Sequence, residues 1–277
     1  LSNLKTWVAG FGLIGLGALA GLVVPQPDRI VFLNVGQGDS TLIQSEGVNA
    51  LVDTGPKDNF TDAGEKLVVP KLKSLGVNGV DLVVLTHPDM DHIGGTGSVL
   101  KSFPNARLAI SESFRDNHQL LTQLISWNIS TERVLWLNSE LEGQLGRFKF
   151  RLECPKTAPD QETNDGSIVM RISDGAASAV LMGDAPIQSE QVMISLGDWK
   201  AELLKVGHHG SHSSSSEAWI RAVHPEFAIV SCGRNNRYGH PHREVIDRLT
   251  QNQVTIFRTD RDGDIEFDDI GGRFVKD

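Results

Sequence analysis

The sequence predicts an α/β protein in which two layers of mixed sheet are covered by helices on both outer faces. Three observations carry that reading. From Ile30 onward, short apolar and β-branched runs alternate with stretches of helical spacing. No low-complexity linker interrupts the alternation after Pro27, so residues 30–277 read as one domain. Several of the apolar runs end in Asp, His or Gly, as strands do where an open sheet carries its site.

The chain opens differently. Trp7 to Val24 contains no charged residue and just reaches the length of a membrane span, so residues 1–29 are expected to form a transmembrane helix and short linker. A signal peptide is the rival reading, and this apolar core is a little long for one. Lys5 precedes the segment and Pro25-Gln-Pro27 breaks it, which favours a domain on the outer side of the membrane. Because the first residue is Leu1, the sequence is expected to be a piece of something longer.

The elements follow in order. Ile30–Val35 reads as a strand, Gly36–Asp39 as a turn and Ser40–Gln44 as the hairpin partner. Asn49–Asp53 is a further strand. Leu67, Val68, Lys71, Leu72 and Leu75 give helical spacing over 64–75, ended by Gly76 and strained or delayed by Pro70. Val80–Leu85 is a buried strand, 96–103 a helix, 107–110 a strand and 118–127 a helix. A β-rich block covers 134–137 and 147–153. Strands 167–172 and 178–182 flank Asp174-Gly175 as a hairpin. Helices are expected at 186–197, 214–223 and 243–251, strands at 202–206 and 227–231, and a last hairpin turning at Asp262-Gly263.

Composition narrows the function. Of 277 residues, 39% are hydrophobic and 22% charged, ordinary for a globular protein. Cys154 and Cys232 alone exclude both a disulfide framework and a four-thiolate zinc site; two unpaired core residues is the plainer reading. A net charge of −9 repels phosphate backbones at long range. Bound divalent cations would reverse that sign inside a cleft.

Chemistry concentrates at the strand ends. His87-Pro-Asp89-Met-Asp91-His92 places four ligand-type side chains directly after a buried strand. A divalent cation needs imidazoles and carboxylates converging from a rigid base, and a short turn supplies that. Asp53, Asp184 and the pair His208-His209 end other strands. A lone Gly-Asp after a strand is usually a turn. Independent strands all ending in ligand residues are better explained by one convergent site.

These motifs, in this chain order, resemble the metallo-β-lactamase superfamily of dinuclear metallohydrolases. More narrowly, Phe32–Ser40, Leu51–Gly55, His87–Gly95, His208–Ser211 and Asn236–Pro241 look like the C-terminal domain of the ComEC family, bacterial competence membrane proteins that pass single-stranded DNA into the cell. The resemblance covers residues 30 to about 270, and the hydrophobic segment matches a last transmembrane helix. It implies the metallo-β-lactamase fold, an αββα sandwich, and two divalent metal ions. His87 and Asp89 would hold one metal, Asp91 and His92 the other, with Asp184 bridging. His209 is the expected further ligand, with His208 facing substrate, and Asp53 would orient the ligands from behind.

Two departures stand out. Asp89 replaces the usual second histidine. The histidine expected before Asp184 is absent, since Asn164-Asp165-Gly166-Ser167 offers only oxygen donors. Hard donors favour Mn²⁺ or Mg²⁺ over Zn²⁺. Asp91, Asp184, His208 and His240 are the expected catalytic residues. Ser211, Asn236 and Tyr238 are expected near the substrate phosphate, with Arg234 and Arg237 weighed equally against a solvated loop. Ser213–Ser216 reads as a helix cap, His212 as a surface residue, and His118, His224 and His242 as structural or solvent-facing.

The function implied is a metal-dependent nuclease outside the bacterial cytoplasmic membrane that degrades the non-transported DNA strand. Its partners would be single-stranded DNA, the membrane through residues 7–24, and the rest of the uptake channel. The alternatives are a hydrolase of another phosphodiester and a non-catalytic domain that binds or gates DNA.

Overall fold

The computed structural model describes residues 27–155, 163–175 and 177–277. The expected membrane helix at 7–24 lies outside the described residues. Among those residues, no helix is long and apolar enough to cross a membrane.

Two sheets face each other. The first holds eight strands, in spatial order β15 (Phe274–Lys276), β14 (Ile265–Asp269), β1 (Arg29–Phe32), β2 (Thr41–Ser45), β3 (Val48–Val52), β4 (Leu82–Leu85), β5 (Arg107–Ser111) and β6 (Val134–Leu137). The second holds seven: β13 (Thr255–Arg258), β12 (Phe227–Val230), β11 (Leu203–Lys205), β10 (Ala177–Leu181), β9 (Val169–Asp174), β8 (Phe148–Glu153) and β7 (Leu141–Leu145). Strands β3 to β6 run parallel, as do β10 to β13. The other ladders are antiparallel, so both sheets are mixed.

The two-residue period of a strand divides the core. Ile30 and Phe32 point between the sheets with Ile43, Phe148, Ile172 and Phe267. Val31 and Leu33 point outward, packing with Leu51 and Val83 under helices α1 (Val69–Ser74), α2 (Met90–Ile93), α3 (Thr96–Ser102) and α4 (His118–Ser126). On the second sheet, Val180 and Leu204 meet Met193 of α5 (Ile187–Leu196) and Trp219 of α6 (Glu217–Val223). Val245 and Leu249 of α7 (Arg243–Gln251) cover Ala228 and Val230. Helices therefore lie on both outer faces, as the alternation predicts.

Pro70 leaves its mark. A π turn over Gly64–Val68 precedes α1, and the proline sits in the first turn of α1, where its missing N–H costs nothing. Cys154 and Cys232 are both free.

Three expectations need correction. The hairpin at Asp262-Gly263 does not form: β13 pairs with β12 in one sheet and β14 with β1 in the other. A short helix α8 (Thr259–Asp262) carries the chain across, closed by the Arg258 N–H donating to Asp262 Oδ2 at 2.7 Å. Strand β7 was not foreseen, because Leu-Glu-Gly-Gln-Leu at a sheet edge carries too few apolar residues to announce itself. The helix expected from 214 begins at Glu217. Buried Glu190 holds the preceding serines, accepting from the N–H groups of Ser215 and Ser216, and the Ser216 hydroxyl caps α6 by accepting from the Trp219 N–H.

Candidate metal centre

The site lies where β3 and β4 of one sheet and β10 and β11 of the other end side by side. Asp53 follows β3 and anchors the arrangement. Its carboxylate accepts from the Thr86 N–H at 2.9 Å, the Thr86 hydroxyl at 2.7 Å and the His92 Nδ1–H at 2.8 Å. Having given its proton to Asp53, the Thr86 hydroxyl can only accept from His87 Nδ1, 3.1 Å away. One carboxylate thus sets the tautomers of two histidines.

The other two rings are set the same way. His209 Nδ1 donates to the Ser231 carbonyl at 3.0 Å. His208 Nδ1 lies 3.1 Å from the Ser213 hydroxyl, whose proton goes to Ser211 Oγ. Both residues adopt left-handed backbone angles, φ 48° and 55°, which side-chain-bearing residues avoid without cause. Gly183 permits the last approach. A Cβ there would sit 2.8 Å from Thr86 Cβ, so glycine alone lets β10 deliver Asp184 to this point.

All four imidazoles then present Nε2 to Asp184. Its oxygens lie 3.2 Å from His92 Nε2, 3.6 Å from His208 Nε2, 3.7 Å from His209 Nε2 and 3.9 Å from His87 Nε2. Asp91 adds an oxygen 3.3 Å from His209 Nε2, and Asp89 one at 3.7 Å from His87 Nε2. His87 Nε2, His92 Nε2 and Asp184 Oδ1 are buried without a hydrogen-bond partner. Buried lone pairs aimed at one another are costly unless something positive lies between them. The donor set therefore fits a divalent cation.

Asp39 was missed from the sequence, where it reads as part of a turn. With His92, Asp184 and His209 it forms a buried group whose ligand atoms lie within 4.8 Å of one another. This is the candidate metal-binding cluster. Asp39 approaches from behind: its oxygens are 3.4 Å from His209 Nδ1 and 3.9 Å from His92 Nδ1, the edges turned away from Asp184. It is also ion-paired with Lys205, which is only 2% exposed. A lysine inside the apolar run Leu203–Val206 was the signal for it, since a buried ammonium requires a carboxylate partner.

Protonation follows this crowding of charge. Burial pushes His87 down to about 4, so it is neutral. Burial also opposes charge on His209, but Asp184 and Asp39 outweigh it and raise that ring to about 10. His92 is likewise raised well above its ordinary value, against burial, by Asp184 and Asp53. Burial would raise Asp184, yet His92 and His209 hold it well below the carboxylate range. Protons on His92 and His209 thus supply the positive charge that the cluster demands. Asp89 is raised, chiefly by burial, and its Oδ1 accepts from the Thr163 hydroxyl at 3.0 Å. The segment that lacks the expected histidine packs here, with Asn164 Oδ1 and Ser167 Oγ buried and unpartnered.

The remaining expected residues fall around the rim. His240 lies beside the cluster, its ring 5.6 Å from that of His208 and 6.2 Å from that of His209. Burial lowers it to about 4. Tyr238 is half-exposed and stacks on His240 at 5.6 Å. Ser211 is buried, its oxygen accepting from Ser213. Asn236 is removed from the phosphate-binding candidates. Its amide donates to Gly233 O and His240 O, and its oxygen accepts from the N–H groups of Tyr238 and His240, which exhausts the side chain. Arg234 points to the Asp260 carbonyl. His212, expected at the surface, and His242, expected to be structural or solvent-facing, have Nδ1 atoms 3.1 Å apart.

Comparison with known proteins agrees with this geometry. The family description "Metallo-beta-lactamase superfamily" matches residues 33–234, most of the chain. The chain belongs to the metallo-β-lactamase superfamily. ComE operon protein 3 of Bacillus subtilis (strain 168) is 32% identical over 256 residues, covering 86% of this chain and 33% of that protein. Competence protein ComA of Neisseria gonorrhoeae is 29% identical over 270 residues, covering 96% of this chain and 36% of that protein. The chain thus spans about a third of the length of these curated relatives. The crystal structure of the metallo-beta-lactamase fold protein YhfI from Bacillus subtilis superposes with a TM-score of 0.55 at 15% identity, covering 90% of this chain and 100% of that one, and shares the fold. The resemblance to the ComEC family holds for this metallo-β-lactamase domain.

Proposed function

We propose that this site is a metal-dependent phosphodiesterase, and that it degrades the non-transported DNA strand on the outer side of the bacterial cytoplasmic membrane during DNA uptake. The carrying observation is the convergence of four Nε2 atoms on one buried carboxylate whose Oδ1, with His87 Nε2 and His92 Nε2, has no hydrogen-bond partner. Positive charge satisfies that set, from protons on His92 and His209 when the site is empty or from divalent cations in their place. The competence relatives supply the setting.

His87 and Asp89 would hold one divalent ion and Asp91, His92 and His209 the other, with the Asp184 carboxylate available to both. Oxygen donors at Asp89 favour Mn²⁺ over Zn²⁺, with Mg²⁺ as a further choice. Such ions bring water to the hydroxide form near neutral pH and neutralise phosphate oxygens. The chain's own residues do the rest. Asp53 holds His87 and His92 in the tautomers that leave Nε2 free. His208, part-exposed and lowered by burial, is neutral with its proton on Nδ1, so its Nε2 would accept a proton or hydrogen bond from a hydroxyl of the substrate or of water. His240 stands behind it, its ring 5.6 Å away.

Incubation of the chain with labelled single- and double-stranded DNA tests the reading. Strand loss is expected with Mn²⁺, weaker with Mg²⁺ or Zn²⁺, and none with chelator. Absence of cleavage under every cation would favour the second reading, a domain that binds or gates DNA. Asp89 in place of histidine, with a raised pKa, is the observation on that side. The outer location follows from an expected membrane helix at 7–24. Protease added to intact cells should remove the domain, and protection until lysis would refute the orientation.

A further inference from the structure

The loop after β12 carries a feature that neither the metal cluster nor its tautomers explain. Gly233 to His240 is pinned at its base by Asn236, whose amide makes four hydrogen bonds within the loop, and by the Gly233 N–H donating to Gln37 Oε1 at 3.0 Å. The rigid loop holds three planar groups in a row. His240 is innermost, beside His208 and His209. The Tyr238 ring lies over it at 5.6 Å with an interplanar angle of 21°. The Arg237 guanidinium lies 4.9 Å from the Tyr238 ring centroid and reaches the hydroxyl end of that ring, donating from Nη2 to the Tyr238 hydroxyl at 2.6 Å.

The row starts at the cluster and ends in solvent. Tyr238 is 48% exposed, and it is the one tyrosine of the chain. Arg237 makes no ion pair among the described residues; Asp91, at the cluster, is the carboxylate whose field reaches it. A guanidinium held by the Tyr238 hydroxyl but without an ion pair among the described residues, at the mouth of an acidic site in a protein of net charge −9, suits a phosphate. A preformed stack with an exposed outer member suits a nucleobase.

We propose that Arg237, Tyr238 and His240 form the seat for one unpaired nucleotide next to the scissile phosphate, the guanidinium taking a phosphate and the stack taking the base. The inference rests on the phosphodiesterase reading and adds a substrate class to it. A base in a duplex has both faces stacked already and must unstack and leave its partner to reach this seat. An unpaired base pays no such penalty. The site would therefore select single strands through a rim contact rather than through the cations.

The test is binding of fluorescent oligonucleotides to the full chain in detergent, with chelator present so that no cleavage occurs. Three ligands of equal length are compared: a single strand, the same strand with abasic residues throughout, and a duplex. The normal single strand is expected to bind roughly five- to a hundredfold more tightly than the abasic one. Tyr238→Leu should bring that ratio close to one, and Tyr238→Phe should restore it. Arg237→Ala should weaken both single strands alike and lower the salt slope by about one. Equal binding of normal and abasic strands by the unmodified protein would overturn the seat, even if the strands are cleaved when Mn²⁺ is supplied. A clear base preference without cleavage under any cation would keep the seat and remove the phosphodiesterase reading.

Discussion

Replacing Asp184 with asparagine is expected to lower DNA hydrolysis by at least about a hundredfold, more than loss of any one histidine or of Asp91. Asp184 is the side chain that all four imidazoles face, at 3.2 to 3.9 Å. The amide keeps the shape and removes the charge. The ligand set would then offer one negative charge fewer for holding divalent cations. His92 and His209 would also lose the partner that most favours their charged forms. Elemental analysis beside a phosphodiester assay reads both effects. Full activity with two bound metals in Asp184→Asn would sink the dinuclear assignment.

Lys205→Met is expected to destabilise the fold by about 3–5 kcal/mol. The lysine is buried in β11 and paired with buried Asp39, so removing it takes away that carboxylate's ammonium partner and leaves only the His209 and His92 rings beside it. The double replacement Lys205→Met with Asp39→Leu should recover much of the loss, because an apolar pair of similar volume has no charge to desolvate. Urea unfolding of the two variants and the original chain decides it. If Lys205→Met unfolds at the same denaturant concentration as the original, the pair contributes no stability.

What the sequence revealed was local. His87 to His92 lie within one turn, and Asp53, Asp184 and His208-His209 each end an apolar run, so strand-end logic was enough to gather them. Asp39 and Lys205 escaped because their meaning is in the pairing of a loop with a strand 166 residues away. Neither has a spacing rule, although a charge amid Leu203-Leu-Lys-Val206 was a hint. Asn236 misled for a related reason: its motif looked chemical, while its amide serves only to hold the loop. The order of strands was hidden too. An Asp-Gly turn between two apolar runs looks like a hairpin, and nothing local tells that β13 and β14 part company into different sheets. Residues whose role depends on the fold being complete are the ones that a linear reading cannot place.

The position of β14 and β15 gives that last point a temporal side. They follow every residue of the cluster in the chain, yet β14 pairs with β1, which precedes them all, and shields its edge. A chain still emerging from the ribosome or crossing a membrane has β1 bare on that side until Ile265–Asp269 arrives. The metal ligands, meanwhile, come from strands belonging to both sheets. A half-made domain therefore lacks a finished cluster, and the site cannot assemble until the second sheet has joined the first.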